Sequence, residues 1–181
     1  MIEQTFGPKR CRDTRKPLAN QCPDVAFYQC PVCGTIFTVT GDKALEEKTI
    51  ICCNEKMVLL TPVDAATVKE QIKLDYQITG GYNDNAIKVI WKTTNKDYSI
   101  EWIYLKTFTG GYLKYVSETK HSPMVFALAD TDAFCYCDED PCLECVFRCK
   151  RGFVIYAYVN NIGLLEIAID KMNAQWQSKG K

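Results

Sequence analysis

The sequence predicts a mainly β protein in which a small four-cysteine domain precedes an antiparallel β-sandwich. The first observation is a C-x-x-C motif, formed by Cys30 and Cys33, that is followed by the adjacent pair Cys52 and Cys53. The second observation is a series of short segments rich in tyrosine, isoleucine and valine, separated by glycine-containing turns, that begins after residue 67. Short strands at this spacing are typical of an antiparallel sandwich.

Composition limits the functions that the chain can carry. Of the 181 residues, 47% are apolar, which is enough for a sizeable core, and 22 basic residues balance 22 acidic ones. A chain without net charge creates no field that would attract nucleic acid. No apolar run is long enough to span a membrane and no signal peptide follows Met1. We therefore expect a cytoplasmic protein that binds neither membrane nor nucleic acid.

The counts of cysteine and histidine narrow the chemistry further. The chain has 11 cysteines and a single histidine, His121. In a reducing compartment thiols bind metals more readily than they form disulfides. One histidine excludes any site with several imidazole ligands, and we expect His121 at the surface or in a turn. Cys11 and Cys22 have no assigned role.

Four segments are predicted along the chain. Residues 1–24 form a polar arm, and residues 25–62 form the four-cysteine metal domain. Residues 63–170 form the sandwich, which includes a cysteine-rich loop at 135–149, and residues 171–181 form a tail. The stretch Val63–Thr67 has the composition of a linker. From Glu166 onward, the spacing of Ile169, Met172 and Trp176 favours a short terminal helix.

Alternation of apolar and polar residues, bounded by turn residues, sets the expected strands. These strands are Ala26–Gln29, Thr35–Thr40, Thr49–Cys52, Ile72–Ile78, Ala86–Thr93, Ser99–Phe108, Tyr112–Ser117, Met124–Leu128 and Phe153–Val159.

The first cysteine cluster has the residue types and spacing of a metal site. Two residues between Cys30 and Cys33 let both sulfurs of a tight turn face one centre, and Cys52 and Cys53 supply two more. Four thiolates suit tetrahedral zinc or a single iron. The domain has too few large apolar residues for a core of its own, so we expect the metal to stabilise its fold. Gly34 is expected to adopt a positive φ in the turn.

A second cysteine cluster lies within the predicted sandwich. It comprises Cys135, Cys137, Cys142, Cys145 and Cys149. Acidic neighbours keep this loop solvated, so core packing does not explain its thiols. Four of the five can hold a second metal or an iron–sulfur centre. A reactive thiol loop without metal is the alternative, and the spacing does not select which four would ligate.

The first cysteine cluster also resembles a known family. The stretches FYQCPVCG and IICCNEKMVLL are similar to the desulforedoxin-type domain that opens the desulfoferrodoxins, where four cysteines hold one iron. The resemblance continues through VDAAT, GGY and IEWIYL to YVNNIGLL, from residue 25 to about residue 168. It implies a rubredoxin- or desulforedoxin-like metal domain followed by an immunoglobulin-like sandwich of the superoxide reductase type. It also implies a homodimer.

The resemblance fails at the family's second iron, which reduces superoxide and is held by four histidines and one axial cysteine. At the matching places this chain has Gln71, Trp91 or Lys92, Tyr98, Val159 and Ile162. One histidine cannot replace four, and valine and isoleucine cannot ligate. We therefore expect the fold without the reductase centre, its cavity filled by apolar side chains.

Three functions fit these residues. The first is a non-haem iron protein that carries electrons to or from a redox protein partner, in oxygen-stress or redox metabolism. The second is a binding or scaffold module in which zinc occupies the same four thiolates. The third is an enzyme whose metal or iron–sulfur centre lies in the loop at 135–149.

Overall fold

The regular secondary structure of the described residues consists almost entirely of β-strands. The computed structural model describes residues 24–79, 86–107, 110–117, 119–128, 132, 134–135, 150–151 and 153–168. The strands are β1 (Asp24–Gln29), β2 (Ile36–Gly41), β3 (Ile51–Cys52), β4 (Glu55–Lys56), β5 (Val58–Leu60), β6 (Val63–Asp64), β7 (Ile72–Thr79), β8 (Ala86–Thr93), β9 (Ile100–Lys106), β10 (Gly111–Tyr115), β11 (Met124–Ala127), β12 (Phe134–Cys135), β13 (Lys150–Arg151), β14 (Val154–Val159) and β15 (Gly163–Ala168). A short 3-10 helix, Ala65–Val68, follows β6. None of the described residues belongs to a helix long and apolar enough to cross a membrane.

Two sheets form the sandwich. A five-stranded sheet has the order β10-β9-β14-β15-β6, and a three-stranded sheet has the order β11-β8-β7. All neighbours pair antiparallel except β6, which runs parallel to β15. The core of buried apolar residues includes Ile72, Ile87, Val89, Ile103, Leu105, Phe126, Phe153, Ile155 and Leu165. The fold class predicted from the sequence is confirmed.

The central strands β9 and β14 bury apolar side chains on both faces. On β9, Ile103 and Leu105 belong to the sandwich core, whereas Trp102 and Tyr104 belong to a second cluster on the outer face of the five-stranded sheet. A strand that is apolar on both faces needs cover on both. The second cluster contains that cover, which comes from β1.

The residues before the sandwich form a compact unit that carries the first cysteine cluster, which we call the cysteine unit (residues 24–60). Strands β2, β1 and β5 form an antiparallel sheet, and β3 pairs with β4 as a hairpin. The predicted strands at Ala26–Gln29 and Thr35–Thr40 correspond to β1 and β2.

The segment predicted as a linker, Val63–Thr67, contains regular structure. β6 pairs with β15, and the side chain of Asp64 accepts a 2.8 Å hydrogen bond from the backbone N–H of Ala66 to cap the 3-10 helix. Aspartate is a favourable helix N-cap. The residues that were interpreted as a linker therefore form a short strand and a capped 3-10 turn. Only Thr61 and Pro62 separate β5 from β6.

The prediction of a terminal helix from Glu166 onward is wrong for its first three residues. Residues Glu166–Ala168 belong to β15, which pairs with β14 along its whole length. The glycine at 163 and the buried Leu164 and Leu165 begin a strand, and pairing to β14 overrides a weak helical spacing. The rest of the predicted helix, and the tail at 171–181, lie outside the described residues, as does nearly all of the arm at 1–24.

Lys114 links β10 and β11, each of which is an edge strand of its sheet among the described residues. The Nζ of Lys114 on β10 donates a 2.6 Å hydrogen bond to the carbonyl oxygen of Val125 on β11 and lies 4.9 Å from the centroid of the Phe126 ring. Lysine on an edge strand discourages pairing with another chain. The lysine therefore joins the two sheets at this side of the sandwich.

Candidate metal centre

The first turn of the centre follows directly from the end of β1. The backbone N–H of Cys30 donates to the carbonyl oxygen of Thr35 at 2.9 Å, and that of Gly34 donates to the carbonyl oxygen of Cys30 at 3.0 Å. Gly34 has the positive φ expected from the sequence, +71°. Side chains other than glycine rarely adopt this conformation, so the glycine permits the tight return that places Cys30 and Cys33 on one side.

The second turn is the two-residue loop of the β3–β4 hairpin. Cys52 pairs with Glu55, and between them Cys53 and Asn54 have φ values of +53° and +62°. Positive φ at both loop residues is the requirement of a type I′ turn, which matches the twist of a hairpin. Asparagine tolerates this region, whereas at Cys53 the conformation costs about 1–2 kcal/mol. The strained residue, Cys53, carries one of the four sulfurs of the cluster.

Together, the two turns bring four sulfur atoms to one place. The Sγ atoms of Cys30, Cys33, Cys52 and Cys53 all lie within 4.8 Å of one another. The Sγ of Cys52 is 3.7 Å from that of Cys33 and 3.9 Å from that of Cys53. A regular tetrahedron of sulfurs about 2.3 Å from a central metal has edges of about 3.8 Å. The cluster can therefore hold one metal ion with little adjustment.

The pKa of the Cys33 thiol is shifted in the opposite direction from those of Cys52 and Cys53. Hydrogen bonds from Thr35 lower the pKa of the Cys33 thiol to about 6. The hydrogen bond between Cys52 and Cys33 raises the pKa of Cys52 to about 12. Cys33 likewise raises the pKa of Cys53. The Cys33 thiolate is thus stabilised chiefly by Thr35 and to a lesser degree by hydrogen bonds from neighbouring thiols. A cation at the centre is what would allow all four to ionise together.

Burial divides the cluster into an inner and an outer side. Cys30 is buried, and it packs in a small core with Ala26, Tyr28 and Met57. Cys33 and Cys53 are exposed. The sulfurs therefore connect the interior of the cysteine unit with its surface.

The donor set fits the metals expected from the sequence. Four cysteine sulfurs in a closed arrangement suit zinc or a single iron, and they do not suit magnesium or calcium, which need oxygen ligands. Four protein ligands also complete a tetrahedral shell without a position for substrate. The arrangement is that of a structural or electron-transfer centre.

Two residues of the centre were not singled out in the sequence. The hydroxyl of Thr35 lies 3.1 Å from the Sγ of Cys33, and Asn54 completes the hairpin turn. Their signals are local: a hydroxyl two residues after the second cysteine, and an asparagine directly after the adjacent pair. Threonine and asparagine are both common beside turns, so these residues indicate a metal site only in combination with the neighbouring cysteines.

The second cysteine cluster falls largely outside the described residues. Cys135 belongs to β12, where it pairs with Lys150 of β13. Cys137, Cys142, Cys145 and Cys149 lie outside the described residues. Just before β12, buried Asp132 accepts hydrogen bonds from Tyr112, at 2.9 Å, and from Thr107, at 3.3 Å. The carboxylate ties the approach to the loop to β10.

The places matched to the family's reductase iron are occupied mainly by packed side chains. Val159 is fully buried in the sandwich core, and Trp91, Tyr98 and Ile162 pack against it. Gln71 is half-buried, and its carbonyl oxygen accepts hydrogen bonds from the backbone and hydroxyl of Thr94. His121 is exposed. Among the described residues, the four-cysteine group is the one cluster of metal-ligating side chains close enough to hold an ion.

Comparison with known proteins places the fold. No protein-family model matches the chain, and no curated protein matches it. Among solved structures, the superoxide reductase from Treponema pallidum matches with a TM-score of 0.54 and 17% sequence identity, over 80% of this chain and 98% of that one. At this identity the likeness establishes the fold alone. The protein thus combines a superoxide reductase-type β fold with a four-cysteine cluster that can bind a metal ion.

Proposed function

We propose that the protein is a non-haem iron protein that carries single electrons through one iron bound by Cys30, Cys33, Cys52 and Cys53. The observation that supports it most is the convergence of four sulfurs within 4.8 Å, from two turns whose backbones are shaped for it. The iron, when bound, supplies one-electron chemistry. The cysteines hold it, keep a closed shell and exclude substrate from the first coordination sphere.

The exposure of the cluster supports electron transfer over a purely structural role. Cys33 and Cys53 lie at the surface, so a partner protein can approach within contact of the ligand sulfurs. Val32, which precedes Cys33, is 63% exposed, and Ile51, which precedes Cys52, is 69% exposed. Exposed apolar side chains around a redox centre favour a short-lived, weakly charged contact with a redox partner.

The match to a superoxide reductase supports a setting in oxygen-stress or redox metabolism. The reductase reaction itself is not part of the proposal. Val159 and Ile162 stand where that family has ligands, and the sandwich core uses their volume. The thiolate centre, rather than the sandwich, is proposed to carry the electrons.

A reductive titration under anaerobic conditions tests the proposal. Protein loaded with iron should show a visible thiolate-to-iron absorption that bleaches with one electron per iron and returns on reoxidation. Cys52→Ser should lose both the metal and the absorption, and should unfold residues 25–62. A native protein that carries only zinc, or an absorption that Cys52→Ser leaves unchanged, would refute the proposed function.

A further inference from the structure

Strand β1 packs against different structures on its two faces. Ala26 and Tyr28 face the small core that contains Cys30 and Met57. Phe27, on the opposite face, is 1% exposed and packs with Val25 against the five-stranded sheet of the sandwich. One strand therefore belongs to both the metal-side core and the surface of the sandwich.

Contact with the sandwich is centred on Phe27. Its ring centroid lies 5.1 Å from that of Trp102, 5.1 Å from that of Tyr104 and 5.3 Å from that of Tyr156. With Leu164, these three side chains form what we call the aromatic face of the sheet. Edge-on and tilted ring pairs at such distances are favourable geometries. Removal of Phe27 would uncover a contiguous apolar patch.

Among the described residues, the remaining contacts between the cysteine unit and the sandwich are an ion pair and a few apolar side chains. The Nζ of Lys106 lies 3.6 Å from a carboxylate oxygen of Asp24, whose side chain is 44% exposed. Such a partly solvated pair contributes little. Ile36 and Leu60 pack at the margin of the cluster. Beyond the aromatic contacts of Phe27, the position of β1 therefore depends on the order of the cysteine unit.

That order depends on the cysteines. The metal-side core has four buried residues, Ala26, Tyr28, Cys30 and Met57, with Val39, Ile50 and Cys52 beside it. A core of this size is too small to stabilise a fold. The sandwich has its own extensive core, which includes no residue of the cysteine unit. Loss of the metal should therefore loosen β1 while the sandwich stays folded.

We propose that the aromatic face is an intramolecular docking surface for β1 that is covered only while the four cysteines hold a metal. This rests on the metal-binding part of the proposed function, and it holds for zinc as for iron. Metal loss withdraws Phe27 and Val25 and exposes Trp102, Tyr104, Tyr156 and Leu164. The cysteine centre thereby controls whether the sandwich presents an apolar surface.

Linkage makes the coupling reciprocal. If metal binding favours docking, docking must favour metal binding by the same factor, and couplings between linked sites are about 5- to 150-fold. Phe27→Ala should weaken metal affinity on the order of tenfold. Phe37→Ala is the matched control, because Phe37 lies on the neighbouring strand β2, faces the other way and is 50% exposed.

The experiment uses the full chain loaded with Zn²⁺, which is redox-silent and suits four thiolates. Metal is removed with a chelator under reducing, anaerobic conditions, and metal content is measured in each sample. Amide hydrogen exchange is followed for peptides covering β1, β9 and β14. Trp102 exposure is followed by acrylamide quenching in a Trp91→Phe/Trp176→Phe background, and metal affinity by chelator competition.

The expected result is that removal of the metal abolishes exchange protection in β1, leaves β9 and β14 protected, and makes Trp102 accessible to the quencher. Metal-loaded protein whose β1 protection and Trp102 quenching do not change on metal removal would overturn the docking surface and leave the metal site intact. Unfolding of β9 and β14 with β1, or equal metal affinity for Phe27→Ala and Phe37→Ala, would also overturn it. A chain that takes up no metal at all would overturn the proposed function as well.

Discussion

Replacement of Gly34 by alanine tests whether the backbone of the first turn determines metal affinity. Gly34 has a φ of +71°, and a Cβ added there would meet no heavy atom within 4 Å. The substitution therefore creates no collision, and it keeps the N–H that donates to the carbonyl oxygen of Cys30. Its only cost is the left-handed conformation of a residue with a Cβ, about 1–2 kcal/mol.

Because folding of the cysteine unit and metal binding are coupled, that cost appears as a loss of metal affinity. One to two kcal/mol corresponds to about a 5- to 30-fold change in an equilibrium constant. Gly34→Asn is the control, since asparagine adopts the left-handed region more easily, and it should lose distinctly less. Competition with a chromophoric chelator measures both variants. Equal losses for alanine and asparagine, or no loss for alanine, would refute the account of the turn.

Three further predictions follow from other parts of the chain. Gly111→Ala would place a Cβ in collision with the ring of Tyr104, so the free energy of unfolding should fall by about 1–3 kcal/mol in urea titrations, and an unchanged midpoint would contradict this packing. Burial raises the pKa of Tyr156 to about 12, and burial also raises that of Tyr104. Since both folded values exceed the unfolded value of about 10, their contribution to stability is complete below pH 10 and is lost as the pH rises toward 12. Absorbance at 295 nm and unfolding should therefore change together, and titration of all tyrosines near pH 10 in the folded protein would argue against it. Finally, Cys142→Ser/Cys145→Ser should remove a second metal equivalent and leave the first, whereas a wild-type stoichiometry of one metal per chain would exclude the second site.

Much of the fold could be predicted because the local signals agree with the tertiary structure. Segments such as Ala86–Thr93 alternate, end at turn residues and contain β-branched and aromatic side chains, and they form strands with the predicted bounds. The six-residue strand β15 was not predicted, and neither were the short strands β4, β5, β6, β12 and β13. β4 and β6 have two residues each and are defined by their partners, β3 and β15, rather than by any periodicity of their own.

The sequence did not show which element covers the outer face of β9. The sequence predicted a strand at Ser99–Phe108, and in the structure β9 buries apolar side chains on both faces. Which element covers the outer face depends on a contact between Phe27 and Trp102, far apart in the chain. A single sequence carries no signal for such a pair. The docking of the cysteine unit on the sandwich therefore required the structure.

At the candidate site, the sequence identified the four cysteines but not how they differ in burial and in thiol pKa. The spacing of Cys30 and Cys33 is a property of the chain, and the structure places their sulfurs near those of Cys52 and Cys53. Which sulfurs are buried, and which thiol Thr35 favours as a thiolate, depend on packing and hydrogen bonds formed only in the fold. These differences arise from three-dimensional neighbours, so composition and spacing could not supply them.

The most direct test of the central claim is the visible absorption spectrum of protein purified without exposure to air, combined with metal analysis of the same sample. The account predicts iron and a strong thiolate-to-iron absorption in the wild-type chain, with the absorption lost in Cys52→Ser and retained in Cys142→Ser/Cys145→Ser. A colourless wild-type protein that contains zinc and no iron would contradict it, as would a colour that depends only on the cysteines at 135–149.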